Sequence, residues 1–173
     1  MTLTLADLLT AQRFDALLLG LYGPELMPAQ RPVLVSQWSK YYFSVLWRMA
    51  LAGQAPLQVE ALVLEVDERG LPVALSAPGP AGGVAELLVQ HLPVLIARLA
   101  ALGQVPAAVL WGNAGDCLDQ LAGGQPALRQ WFDTPGNPLY AAVGHDAEGR
   151  RVRRTCCLSY KVAWVGHCEH CPL

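Results

Sequence analysis

Four cysteines offer the most chemistry. Cys156 and Cys157 are adjacent, ten residues follow, and Cys168 and Cys171 are separated by two more, while Cys117 is the only cysteine elsewhere. Four thiolates complete one tetrahedral zinc, or they supply two terminal ligands to each iron of a 2Fe-2S cluster. The Cys168–Cys171 half is generic, because a C-x-x-C turn aims two sulfurs at one ion in both kinds of site. The adjacent pair is more informative. Neighbouring side chains of an extended chain point to opposite faces, so Cys156 and Cys157 meet on one small ion only if the backbone bends sharply. A two-iron cluster relaxes that demand. Zinc ordinarily takes two separated knuckles, so the spacing favours iron–sulfur over zinc on geometry alone. His167 and His170 interleave with the second knuckle. They either replace a thiolate, as in Rieske-type ligation, or tune the site through hydrogen bonds or charge. Cys117 reads as a small hydrophobe on a helix.

Two further groups stand near this chemistry in type. Arg150, Arg151, Arg153 and Arg154 precede the first cysteine in a chain with 12 basic residues. Such charge raises the potential of a cluster and attracts an acidic redox partner or an anionic chelate, unless these are ordinary arginines of a solvated edge strand. Trp38, Tyr41, Tyr42 and Trp47, with Lys40 among them, either line a wall for a large ligand or fill the core. Trp111 and Asn113 read as a buried tryptophan and a turn-forming asparagine.

The elements that must position these residues follow from the rest of the 173-residue chain. That length implies one domain with one core. Apolar residues make up 53% and charged residues 15%, yet no apolar run stays unbroken for the roughly 18 residues a membrane span needs. The longest candidate is interrupted by Gln90, His91, Pro93 and Arg98. No basic leader precedes the first apolar stretch, so a cytoplasmic location is expected, where thiols are kept reduced and a cysteine cluster reads as metal or redox chemistry. A net charge of -2 provides no field for nucleic acid.

Thr4 and Asp7 form a weak capping box for a helix over about 6–21. Ser36 is the expected cap of an aromatic helix that ends at Gly53. Residues 57–76 read as a hairpin turning at Asp67–Gly70, and 78–83 as a flexible linker. A helix over about 84–102 should be kinked by Pro93, and another should follow Pro106 despite its glycines. A short helix and turns, then a strand or loop, lead into the cysteines. The expectation is a helix-rich α+β single domain, with an antiparallel hairpin-based sheet over residues 1–152 and an irregular metal-binding tail over 153–173 that depends on metal for order.

The tail RRTCCLSYKVAWVGHCEHCPL resembles the C-terminal signature of the FhuF-type ferric-siderophore reductases, in which a paired Cys-Cys, ten residues and a Cys-x-x-Cys bind an unusual 2Fe-2S cluster. The match lies in the spacing, in the aromatic at Tyr160 and in the position at the chain end. Weaker matches are QWSKYYF, LWGN at 110–113 and GNPLY at 136–140. The chain is shorter than the typical member in its N-terminal half, where a substrate wall would be expected. The resemblance implies one-electron reduction of a ferric chelate, hydroxamate-like, by a cluster on Cys156, Cys157, Cys168 and Cys171. Arg151, Arg153, Arg154, Trp38, Lys40, Tyr41, His167 and His170 are the candidates for binding the chelate or tuning the cluster.

Siderophores hold Fe(III) with hard oxygen ligands far more tightly than Fe(II), so reduction is a release step. It needs no nucleophile or general base, only a donor of low potential, and Cys-ligated 2Fe-2S centres reach roughly -400 mV. No G-x-G-x-x-G opens a helix after a strand, so an external donor such as a ferredoxin or a flavoprotein reductase is implied. Two other readings remain open at this point: a 2Fe-2S electron carrier or redox sensor, and a binding module stapled by structural zinc.

Overall fold

The computed structural model describes residues 2–123 and 125–173. Strand β1 (Thr2–Thr4) runs directly into α1 (Leu5–Leu8), where the Thr4 hydroxyl accepts the Asp7 amide at 3.1 Å. This is the cap expected from sequence. The expected single helix is broken one turn later. Thr10 has an extended backbone and its hydroxyl donates to Asp7 O at 2.9 Å, so α2 starts afresh at Ala11–Tyr22.

Helix α3 (Arg31–Leu51) begins ahead of Ser36 because Pro32 fits the first turn, where a missing N–H costs no hydrogen bond. Ser36 is therefore no cap but a buried residue inside the helix. Val33, Val35, Trp38, Tyr42, Phe43, Leu46 and Trp47 are buried around nearly its whole circumference, which makes α3 the central helix of the molecule. The aromatic helix thus fills the core. Trp38 makes an edge-on contact with Phe14 at 5.2 Å and lies 5.8 Å from Tyr42, so it lines no ligand wall.

The hairpin is present as β3 (Val63–Val66) and β4 (Pro72–Ser76), and β1 adds a third antiparallel strand in the order β1-β3-β4. Leu3 pairs with Leu64 and Leu64 with Leu75. At the turn, Asp67 Oδ1 accepts the Arg69 and Leu71 amides, both at 2.9 Å, and Gly70 takes φ +89°, which favours glycine. Residues 78–83 are more ordered than a linker, because β5 (Ala81–Gly82) pairs antiparallel with β2 (Ala55–Pro56).

Pro93 has the expected effect. Helix α4 (Val84–Glu86) passes through a π turn at Leu87–His91 into α5 (Leu92–Gly103), and that wider turn absorbs the bond the proline cannot donate. By length and composition 84–103 is the one stretch among the described helices that qualifies to cross a membrane. Leu87, Leu92, Leu95, Ile96 and Leu99 are buried in the core. Helix α6 (Ala107–Ala122) lies along α3, where Trp47 Nε1 donates to Ala114 O at 2.8 Å. After α7 (Pro126–Asp133), a hairpin of β6 (Val143–His145) and β7 (Arg151–Arg153) leads into the tail, which has one 3-10 turn at Ser159–Lys161. The fold is α+β, helix-rich, with antiparallel sheets and an irregular tail.

Candidate metal centre

Helices α3 and α6 form the platform on which the cysteine tail rests, and the glycines of α6 explain how the tail comes so close. A Cβ at Gly112 would overlap the Thr155 hydroxyl, and one at Gly115 would overlap Ala142. Glycine costs a helix about 1 kcal/mol relative to alanine, and here it opens the space in which β7 and the tail lie on the helix.

A buried polar relay then joins platform to tail. Asp116 pairs with Arg151 Nη1 at 2.7 Å and Arg153 Nη1 at 3.2 Å. Arg153 is 1% exposed and also donates through Nη2 to Asn113 Oδ1. Asn113 Nδ2 donates to Ser36 O at 2.9 Å and lies 2.9 Å and 3.0 Å from the hydroxyls of Ser36 and Ser39. Ser36 Oγ donates to Cys157 O at 2.8 Å, and Gln37 Nε2 reaches the same oxygen at 3.0 Å. A buried charge is tolerable only when paired and hydrogen-bonded, and the Arg153 guanidinium is paired through both Nη atoms, to Asp116 and Asn113, while its Nε has no partner among the described residues. The tail is fastened at other points too: Arg153 N donates to His170 O at 3.0 Å, Arg154 N to Ala142 O at 2.9 Å, and the Val162 side chain is buried.

The sharp bend demanded by adjacent cysteines falls just after them, at Leu158, whose φ of +67° is a strained, left-handed value for leucine. Its amide donates to Cys156 Sγ at 3.3 Å. Cys157 Sγ lies 3.4 Å from the Ser159 hydroxyl, and His167 Nδ1 lies 3.2 Å from Cys171 Sγ. The knuckle is closed by the Cys171 amide donating to Cys168 O at 3.1 Å. Cys157 is buried, and the other three are partly exposed.

The thiols meet two by two, Cys156 with Cys171 and Cys157 with Cys168. Each adjacent cysteine thus has a hydrogen-bonding partner across the loop, and Cys156 also lies within electrostatic reach of Cys157. Tetrahedral zinc requires four ligands around a single ion, whereas a two-iron cluster takes two thiolates at each iron, so the donor set fits the cluster.

Electrostatics differ between the pairs. Burial acts to raise the Cys157 pKa, but hydrogen bonding to Ser159 and the Lys40 ammonium outweigh it and bring the thiol down to about 6. Burial pushes Cys168 up to about 11, helped by its hydrogen bond to Cys157 and the charge there. Cys156 is also raised, by burial and by the nearby thiols.

Of the candidates named from sequence, Lys40 alone on the aromatic helix reaches the thiols. Tyr41 is half exposed and lines a shallow pocket with Tyr22, Glu68 and Arg69. Arg151 and Arg153 are not free surface charge, because Asp116 and Asp119 consume both. Arg154 remains exposed with no carboxylate partner among the described residues. His170 Nδ1 is 2.8 Å from Arg151 Nη1, and His167 stacks on Tyr160 at 5.5 Å. Cys117 is a buried helix residue whose thiol burial pushes up to about 11. Asn113 makes no turn, being inside α6. Gln37, Ser39, Gly112 and Asp116 have no functional role assigned from sequence, and Ser36 is expected only as a helix cap. Their signal was polar or small residues spaced three or four apart on otherwise apolar helices.

Residues 153–173 match the family model of the FhuF 2Fe-2S C-terminal domain. A comparison with curated proteins gave no match to this chain. The tail is similar to that domain, whose cofactor is a 2Fe-2S cluster. The two thiol pairs described above are where it fits.

Proposed function

We propose that the protein is a ferric-siderophore reductase: it passes one electron from a cluster held by Cys156, Cys157, Cys168 and Cys171 to a cytoplasmic Fe(III) chelate of the hydroxamate type, releasing Fe(II). The observation that carries this is the pairwise gathering of four thiols on a partly exposed tail, within the segment that matches the FhuF domain. The cluster supplies the electron, and an external donor such as a ferredoxin or a flavoprotein reductase replaces it.

The chain's own residues supply position and field. Ser36 and Gln37 hold the Cys157 carbonyl, and through it the innermost ligand, against α3. The relay to Asp116 makes that anchor part of the core, so little geometry has to be reorganised when charge changes. Lys40 places a cation at the Cys157–Cys168 side, which favours the extra negative charge of a reduced site and raises its potential.

The test is to reduce cluster-loaded protein anaerobically, remove the reductant, and mix it with a ferric hydroxamate siderophore. The electron paramagnetic resonance signal of the reduced state should vanish, with one Fe(II) trapped per chain. The gallium(III) complex, which accepts no electron, should leave the signal intact. A signal that persists with every ferric chelate would remove the reductase reading and favour an electron carrier.

A further inference from the structure

The reductase reading leaves open where the chelate sits, and one groove answers both in charge and in position. We infer that the groove between α6 and the chain leading into the cysteines is the chelate site, with Arg154 meeting the oxygen shell of the iron and Trp111 and Tyr140 as its aromatic sides. This rests on the reductase reading and names the substrate site for it.

The groove has a volume of about 320 Å³ and is lined by Ala108, Trp111, Gly112, Tyr140, Arg154 and Thr155, among others. Small-molecule sites run from roughly 300 to 1,000 Å³, so it takes the iron-bearing face of a chelate rather than enclosing all of it. Three of the four arginines before the cysteines are spent on carboxylates: Arg150 on Asp146 and Glu148, Arg151 on Asp116 and Asp119, and Arg153 on Asp116. Among the described residues the Arg154 side chain makes one polar contact, at 3.5 Å to Tyr140 O. A guanidinium without a carboxylate is a planar donor for oxygen ligands that carry negative charge, and aromatic faces beside it add contact area for the flat chelating groups. The Thr155 hydroxyl has no hydrogen-bond partner among the described residues. Thr155 immediately precedes Cys156, so a chelate here lies one residue from a cluster ligand, and electron transfer falls steeply with distance.

The other sizeable cavity near the tail fits less well. Its volume is about 380 Å³, it is lined by Asp119 and Asp133, and its Arg129 is already paired with Asp133. Asp119 is likewise paired with Arg151, so the charges there are already matched and, among the described residues, no free cation is left for the oxygen shell of a ferric chelate.

Hydroxamate and catecholate chelates share that shell and differ in net charge, so gallium(III) complexes of both serve as redox-inert probes. Calorimetric titration of the cluster-loaded protein should show saturable binding. Arg154→Gln should weaken it roughly tenfold or more, as loss of a charge-assisted hydrogen bond does, and more for the anionic catecholate complex. Ala108→Phe, which fills the groove, should abolish it, and Arg129→Gln should leave it unchanged. Ala108 and Arg154 are exposed, so both variants should fold, and their visible spectra report cluster loading. Wild-type affinity in both groove variants, or a loss confined to Arg129→Gln, overturns the site while the reductase reading stands. No gallium binding, together with no oxidation of the reduced protein by ferric chelates, defeats both.

Discussion

Asn113→Ala should unfasten the platform from the tail. In the folded protein the Asn113 amide serves Ser36 O and lies within 3.0 Å of the Ser36 and Ser39 hydroxyls, while its oxygen takes the Arg153 guanidinium. Some partners survive the change: Ser39 Oγ still donates to Ser36 O at 2.8 Å, and Arg153 keeps Asp116. What remains uncompensated is one donor of a buried guanidinium, at roughly 1–3 kcal/mol or more for a charged group, plus the lost amide contacts and a small cavity. The sum is about 3–5 kcal/mol, a large share of a typical stability of roughly 5–15 kcal/mol. Urea denaturation followed by tryptophan fluorescence should show a lower midpoint at an unchanged slope. Iron retained after gel filtration should fall as well, because Ser36 would no longer be held under the Cys157 carbonyl. A loss below about 1 kcal/mol with wild-type iron content would refute the relay as the anchor of the site.

Gly112→Ala tests the close approach of α6 and the tail. An exposed helical position would gain about 1 kcal/mol from this change, but the overlap with Thr155 should reverse the sign, costing about 1–3 kcal/mol by thermal melting and lowering the iron content. Buried His91, held between Tyr42 OH and Pro56 O at 2.9 Å each, has its pKa lowered from 6.5 to about 4, chiefly by burial. Below pH 6.5 the unfolded chain binds a proton the folded one refuses, so His91 should withdraw about 3 kcal/mol of stability as pH falls from 6.5 to about 4. Denaturation midpoints measured across that window in wild type and His91→Gln should converge at low pH. Cys117→Ala should keep full iron content, whereas Cys156→Ser should lose it, as read by iron analysis.

The sequence disclosed the four thiols because their spacing is itself a chemical constraint, and it disclosed the helix after Pro106 and the hairpin at Asp67–Gly70 because their punctuation is local. It misled where tertiary context decides. Ser36 has the type of a cap and is instead a buried donor, since Pro32 starts the helix earlier. The glycines of α6 weaken a helix on propensity, yet they are the residues that admit the tail. The arginines look alike in sequence, and only their partners separate Arg153, sealed against Asp116, from Arg154, left open to a groove. No local pattern reports the pairing of Asn113 with Ser36, 77 residues away.

Metal content decides the site. Protein purified without oxygen from iron-replete cells should contain two irons and two acid-labile sulfides per chain, with a paramagnetic signal that appears only after reduction, as a 2Fe-2S centre requires. Zinc alone, bound stoichiometrically with no sulfide, would contradict the cluster and turn the tail into a structural knuckle.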